Sequence, residues 1–185
     1  SHENHGTYAS READASWRQA MLGLVDPCGK HVADIGCGGG IYAHAWRDLG
    51  AARVTAIDFS SRMLADARDR NGGDPCCAFI QGDATSTGLP DAAVDIAFSR
   101  AVIHHLPDLP AAFSEGYRIL KPGGTVIIQD RTIEDVRHPA SPEHLRGYFF
   151  DVFPRLLDEE ARRRPASTTV VTALEDAGFD RIIAL

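Results

Sequence analysis

The chain has 185 residues, 44% of them hydrophobic and 24% charged, with a formal net charge of −7 at pH 7. One ordinary globular domain with one good core is expected from that length and composition. The acidic balance argues against broad nucleic-acid binding, which needs a basic surface to meet phosphates, and the run Arg162, Arg163, Arg164 reads as a solvated helix end.

Residues 1–7 are polar and read as a fraying end. A helix is expected over 8–25, with Trp17, Ala20, Met21 and Leu24 at helical spacing and Asp26-Pro27-Cys28-Gly29 closing it. Val32, Ala33, Asp34 and Ile35 then make a short apolar run that breaks into Gly36, Gly38, Gly39 and Gly40, after which 41–46 continues as a helix. Glycine in such a strand-turn-helix admits positive φ and lets a ligand approach the main chain, while the helix start offers unpaired N–H groups. A second strand over 53–57 ends in Asp58, where a carboxylate can accept hydrogen bonds from both ribose hydroxyls of an adenosine-containing ligand. Ser60 or Ser61 is available to cap the next helix, which leaves Asp58 to that task.

A third strand over 76–80 leads to Gln81-Gly82-Asp83-Ala84, and a fourth over 93–99 ends at Ser99, with Val94, Ile96 and Phe98 apolar as in a buried strand. Residues 100–106 lie at its carboxyl end, the edge at which open α/β sheets bind ligands. His104 and His105 stand there. A neutral imidazole, with an unperturbed pKa of ~6.5, can take a proton from an acceptor oxygen or nitrogen; orienting the loop or packing on the ligand are the other roles open to either ring. A helix over 109–120, a fifth strand over 125–129, a stretch over 131–165 rich in aromatic residues, a helix over 168–178 and a sixth strand over 179–185 complete the chain. The alternation of strands and helices predicts an α/β fold.

Asp34-Ile35-Gly36-Cys37-Gly38 resembles the acid-x-Gly-x-Gly signature of class I S-adenosylmethionine-dependent methyltransferases of the small-molecule type, and further matches follow in order as far as Asp130. The resemblance implies a Rossmann-like, doubly wound, mostly parallel sheet flanked by helices. It implies S-adenosyl-L-methionine as cofactor, S-adenosyl-L-homocysteine as product, direct displacement on a small-molecule acceptor, and no metal. Carried over residue by residue, it brings Asp34, Gly36, Cys37 and Gly38 to the methionine end, Asp58 with Phe59 to the ribose, and Met63 to the adenine face. Asp83 would meet the adenine amino group, the N–H of Ala84 a ring nitrogen, and Ser99 the end of the fourth strand. His104 and His105 would lie beside the transferable methyl. The first 30 residues would cover the cofactor mouth, making Tyr8, Trp17 and Arg18 candidates for lining the acceptor site, with core packing the alternative for Trp17. Lys121-Pro122-Gly123-Gly124 matches a structural turn on the opposite face.

The stretch 131–165 corresponds to a place where such enzymes insert acceptor-binding helices. Tyr148, Phe149, Phe150, Val152, Phe153, Leu156 and Leu157 crowd into it, and they must bury against something: an acceptor under a mobile cap, the core, or a second copy. The family sheet has seven strands, the seventh antiparallel between the fifth and sixth, whereas six are counted here.

Two rivals remain. A nicotinamide-dependent oxidoreductase would use Gly38, Gly40 and Ala43 for the dinucleotide, with Asp58 on the ribose. Its Tyr117 and Lys121 pair fails on position, because Lys121 runs straight into proline. The other rival is a non-catalytic S-adenosylmethionine-binding protein. Cysteines at 28, 37, 76 and 77 show neither disulfide nor zinc spacing, which suits a reducing, cytoplasmic setting. With no run of ~20 apolar residues and no leader, neither membrane nor nucleic acid is expected as a partner, and the chain is expected as monomer or homodimer.

Overall fold

The computed structural model describes residues 12–71, 73–142 and 144–185. Tyr8 and the polar start of the chain lie outside them. The first described helix, α1 (Ala15–Leu24), starts where Asp14 caps it, accepting a hydrogen bond from the Trp17 N–H, rather than running unbroken from residue 8. Of the expected stripe only Trp17 and Met21 are buried, joined by Ala13, while Leu24 stays 43% exposed.

Five parallel strands follow with their helices: β1 (His31–Ile35), α2 (Ile41–Asp48), β2 (Arg53–Asp58), α3 (Ser61–Arg70), β3 (Cys77–Gln81), β4 (Val94–Arg100), α4 (Leu109–Ile119) and β5 (Leu120–Gln129). Their order in the sheet is β3-β2-β1-β4-β5. The chain winds outward from β1 through β2 to β3 and then returns to the other side of β1. The carboxyl ends of β1 and β4 therefore flank the switch point where such sheets open a crevice.

Because β1 is buried on both faces, it reads as an apolar run rather than an alternation. On one face Val32, Val54, Ile96 and Phe98 pack with Trp17, Trp46 and Leu64 from α1, α2 and α3. Trp17 meets Trp46 and Phe98 edge to face at 5.3 and 5.7 Å, pairs worth about 0.5–1.5 kcal/mol each beyond their buried area. On the other face Ala33, Ile57, Val94 and Ala97 pack against Ala112 and Ile119 of α4.

The Lys121-Pro122-Gly123-Gly124 turn lies within β5, as an irregularity: Leu120 pairs with Val94, and pairing resumes between Thr125 and Ile96. Gly123 takes φ +78°, and a side chain on Gly124 would meet the Asp95 carbonyl oxygen at 3.0 Å. Lys121 ends on Asp95 at 2.9 Å, at the amino end of the sheet, while Tyr117 packs on Phe179. The two residues of the oxidoreductase pair thus serve separate structural contacts.

Beyond β5 come α5 (Ile133–Arg137), α6 (Leu145–Val152), α7 (Pro154–Arg163) and α8 (Ser167–Ala177). The helix α8 packs on α4 through Ala173 and Leu174 and ends at Gly178 in the left-handed region. Residues 179–185, expected as a sixth strand, form no strand. In the family order a sixth strand has only the seventh to pair with, and no such strand occurs among the described residues. Phe179 and Ile182 pack on the α4–α8 cluster instead.

Candidate functional site

The turn after β1 is built by glycine geometry. Gly36, Gly38 and Gly40 take φ of +73°, +52° and +76°. A Cβ on Gly36 would sit 2.4 Å from Val102, and one on Gly40 would sit 2.9 Å from the Ala67 methyl. The N–H groups of Gly36 and Cys37 both donate to the Ile57 carbonyl, at 2.8 and 2.9 Å, and Gly38 N–H donates to Asp58 Oδ2 at 2.8 Å. These three donors are spent on β2. What Gly36 and Gly38 offer a ligand is therefore the absence of a side chain, not hydrogen bonds.

Asp58 is 7% exposed and bridges two segments, its Oδ1 accepting from Ser60 N–H at 2.9 Å. Ser60 caps α3 by accepting from the Met63 N–H. Asp58 is thus engaged by the protein, with one further lone pair on each oxygen. The next residue, Phe59, is 77% exposed, and the Met63 methyl lies 3.4 Å from where a Gly38 side chain would begin. Asp83 sits just past β3. Its Oδ1 takes Thr85 N–H, Thr85 Oγ1 and Ser86 N–H at 2.7, 2.6 and 3.1 Å, and these bonds hold its pKa below the usual carboxylate value. Ala84 behind it is buried.

Asp34 is 2% exposed, and among the described residues its Oδ2 has no hydrogen-bond partner. Burial pushes its carboxyl up to about 7, the Asp58 charge adds to the rise, and a hydrogen bond from the Ala43 backbone opposes it. An orphaned buried oxygen under a glycine turn suits a ligand carrying an ammonium group, and bare Phe59 beside Asp58 suits a nucleoside. The residues present fit S-adenosylmethionine. The titration has a further consequence. The unfolded chain releases this proton near pH 4, so between about pH 4 and 7 the folded state binds it more tightly and stability falls as the pH rises. Asp34→Asn is therefore expected to gain on the wild type by about 1–2 kcal/mol between pH 5 and 7. Urea unfolding of the ligand-free protein at each pH checks this; a gap that does not change with pH contradicts it.

Cys37 is buried, and burial pushes its thiol pKa up, with the charges of Asp34 and Asp58 adding. It is a packing group rather than a nucleophile. Ser99 pairs with Ile35 in register at the carboxyl end of β4. Arg100, next along, stands over the Tyr42 ring at 4.6 Å. Trp17 is 4% exposed and donates from its indole to Gln129 Oε1 at 3.1 Å, and Arg18 pairs with Asp48.

The histidines separate in role. His105 is exposed, and burial of part of its ring, with the neighbouring His104, lowers its pKa. His104 has a side chain only 8% exposed, in a 3₁₀ turn over Ile103–His105, and its Nδ1 lies 2.9 Å from both oxygens of Asp130. A ring nitrogen facing a carboxylate donates to it, and in the neutral ring that puts the lone pair on Nε2. Asp130 also accepts from Arg164 Nη1 at 3.1 Å, and Arg164 Nη2 donates to Glu160 at 2.7 Å. Arg164, read from sequence as part of a solvated end, is in fact 6% exposed, whereas Arg162 is 68% exposed. Its neighbours in sequence mask it: an Arg-Arg-Arg run carries no sign of which member turns inward.

The aromatic stretch also departs from expectation. Phe150 is buried, but Tyr148, Phe149, Val152, Phe153 and Leu156 remain 42–69% exposed. One face of α6, with Phe150 and Gly147, packs inward; the rest of the cluster does not fill the core.

An all-parallel sheet with a glycine turn after its first strand and acids at the neighbouring carboxyl ends defines the class I, Rossmann-like architecture. The chain belongs to the methyltransferase domain family, whose model matches residues 33–128. It is 40% identical over 119 residues to the malonyl-[acyl-carrier protein] O-methyltransferase of Serratia marcescens, covering 64% of this chain and 45% of that protein. It is 33% identical over 162 residues to phosphoethanolamine N-methyltransferase 1 of Arabidopsis thaliana, covering 84% of this chain and 30% of that one. The chain spans less than half the length of either relative. Among solved structures, a putative methyltransferase from an antibiotic biosynthesis pathway of Anabaena variabilis superposes with a TM-score of 0.75 at 28% identity, over 90% of this chain and 62% of that one.

Proposed function

We propose that this chain transfers a methyl group from S-adenosylmethionine to a small, partly apolar acceptor by direct displacement. The observation that carries the reading is Asp58, fixed by Gly38 and Ser60 beside a bare Phe59, within a matched methyltransferase domain. Asp34, Gly36, Cys37 and Gly38 would hold the methionine end, Asp58 and Phe59 the ribose, Met63, Asp83 and Ala84 the adenine, and Ser99 the floor between. The cofactor supplies a methyl already attached to a good leaving group. The protein's own work is then to align the acceptor, exclude water and accept a proton where the acceptor carries one. His104 is the candidate for the last task, since a neutral ring giving its Nδ1–H to Asp130 would present Nε2 as the acceptor; His105 would flank the site.

The helices α5 to α7 would cap the acceptor, their exposed aromatic face meeting its apolar part. An acyl group on a carrier protein and a phosphoethanolamine are the acceptors named for the two relatives, one methylated on oxygen and the other on nitrogen. No helix among the described residues is long and apolar enough to cross a membrane. The four free cysteines fit a reducing compartment, so we place the reaction in the cytoplasm.

The test is label transfer from methyl-labelled S-adenosylmethionine into fractionated metabolites and acyl-carrier-protein thioesters. A single labelled species that disappears with Asp58→Ala is the expected result. Cofactor binding without transfer to any fraction would instead favour a non-catalytic binding protein.

A further inference from the structure

The chain of contacts running from His104 through Asp130 reaches beyond the family-matched region, into the segment that follows β5. Asp130 receives His104 Nδ1, the Arg131 N–H at 2.8 Å and Arg164 Nη1. Arg164 in turn spreads its fork between Asp130 and Glu160 of α7, its Nη2 and Nε lying 2.7 and 3.2 Å from Glu160 Oε2. The side chains of Asp130, Arg164 and His104 are 4%, 6% and 8% exposed, so these charges meet out of water. The same junction is tied twice more: Ile133 N–H donates to the Pro165 carbonyl at 3.1 Å, and Ser167 Oγ donates to Glu134 at 3.2 Å. The two ends of the helical segment are thus clasped together directly behind the histidine.

We infer that Arg164 is a positioning residue which, acting through Asp130, holds His104 oriented and neutral and couples that state to the seating of the helices α5 to α7. The inference rests on His104 belonging to the reaction site. A buried carboxylate flanked by an imidazole alone would draw a proton onto the ring and convert a base into an imidazolium. With Arg164 supplying the compensating charge, Asp130 needs only the ring's Nδ1–H, and Nε2 keeps its lone pair. The other groups around the ring are few. His105 stacks 4.0 Å away within the same turn, Arg131 follows Asp130 in the chain, and Arg163 and Glu160 pair with each other on α7. Lysine cannot replace Arg164 in full, because a single ammonium lacks the planar fork that bonds two carboxylates at once.

The experiment follows the His104 ring by NMR in the full chain labelled with ¹⁵N-histidine and saturated with S-adenosylhomocysteine, using His104→Gln to assign its signals. Wild type is expected to show the Nδ1–H tautomer. Arg164→Gln is expected to raise the titration midpoint of the ring by about one pH unit or more, and Asp130→Asn to move it the opposite way. Arg164→Lys is expected between wild type and Arg164→Gln, and it decides alone if the glutamine variant does not fold. Equal midpoints and tautomers in wild type and both Arg164 variants would overturn the inference and leave the arginine a surface-sealing contact. Calorimetry with S-adenosylhomocysteine runs alongside. Failure of wild type to bind it would remove the methyltransferase reading, while the titration of ligand-free protein would still decide the role of Arg164.

Discussion

Asp58→Ala is expected to weaken binding of S-adenosylhomocysteine by about 10²–10⁴-fold, because two hydrogen bonds from ribose hydroxyls to a carboxylate are each worth about 1.5–3 kcal/mol. The structure adds a second effect. Asp58 also accepts from Gly38 N–H and Ser60 N–H, so the alanine variant strands two partly buried donors and should lose about 1–3 kcal/mol of stability as well. Asp58→Asn separates the two losses. Its amide oxygen can serve one of the backbone donors, but its NH₂ group cannot accept from ribose, so stability should recover more than affinity. Isothermal calorimetry and urea unfolding on both variants measure the two quantities independently. Unchanged affinity in Asp58→Ala would assign the residue to the turn alone and withdraw it from the cofactor.

That double duty could be read only in part from the sequence. An acid twenty residues past a glycine turn, at the end of the next apolar run, is a local pattern, and so is a serine placed to cap the helix behind it. Both are set by a few neighbouring residues, and both stand in the structure where the pattern puts them. The bond that Gly38 N–H gives Asp58 depends instead on β1 and β2 lying side by side, which no local pattern states. The same limit explains Arg164. It meets Asp130 across 34 residues, and an arginine after two others signals a solvated face until the partner is known. The signal for Asp130 was better: an acid immediately after a parallel strand stands on the ligand edge of the sheet, as Asp58 does.

Two other readings failed for different physical reasons. Residues 179–185 have the apolar content of a strand, but a strand exists only with a hydrogen-bonding neighbour; Phe179 and Ile182 pack on α4 and α8 instead, while Ile183 and Leu185 stay 78% and 98% exposed. The helix expected over 8–25 begins instead at Ala15, because helical spacing alone does not reveal a cap. Asp14 sets the start, and within the helix Trp17 and Met21, one turn apart, are buried while Ala20 and Leu24 face outward.

His104→Gln is expected to lower turnover by about 10²–10⁴-fold on the acceptor found by label transfer, with S-adenosylhomocysteine affinity unchanged. The two histidines differ in what surrounds them. His104 is enclosed and has its Nδ1 committed to Asp130 at 2.9 Å from either oxygen. In the neutral ring its other nitrogen is therefore the acceptor. His105 is exposed and has no carboxylate of the described residues within bonding distance to fix its tautomer. His105→Gln should accordingly cost less than tenfold. The pH profile sharpens the distinction, since a wild-type acid limb that vanishes in His104→Gln, with residual activity flat in pH, identifies the group that must be unprotonated. If His104→Gln instead loses cofactor affinity and turnover together, the ring supports the crevice, and proton removal falls to solvent or to the acceptor's own ionisation. An acceptor already deprotonated at neutral pH would leave His104→Gln near wild-type rate while Asp58→Ala stays inactive, and that pair of results would exclude general-base catalysis without disturbing the cofactor site.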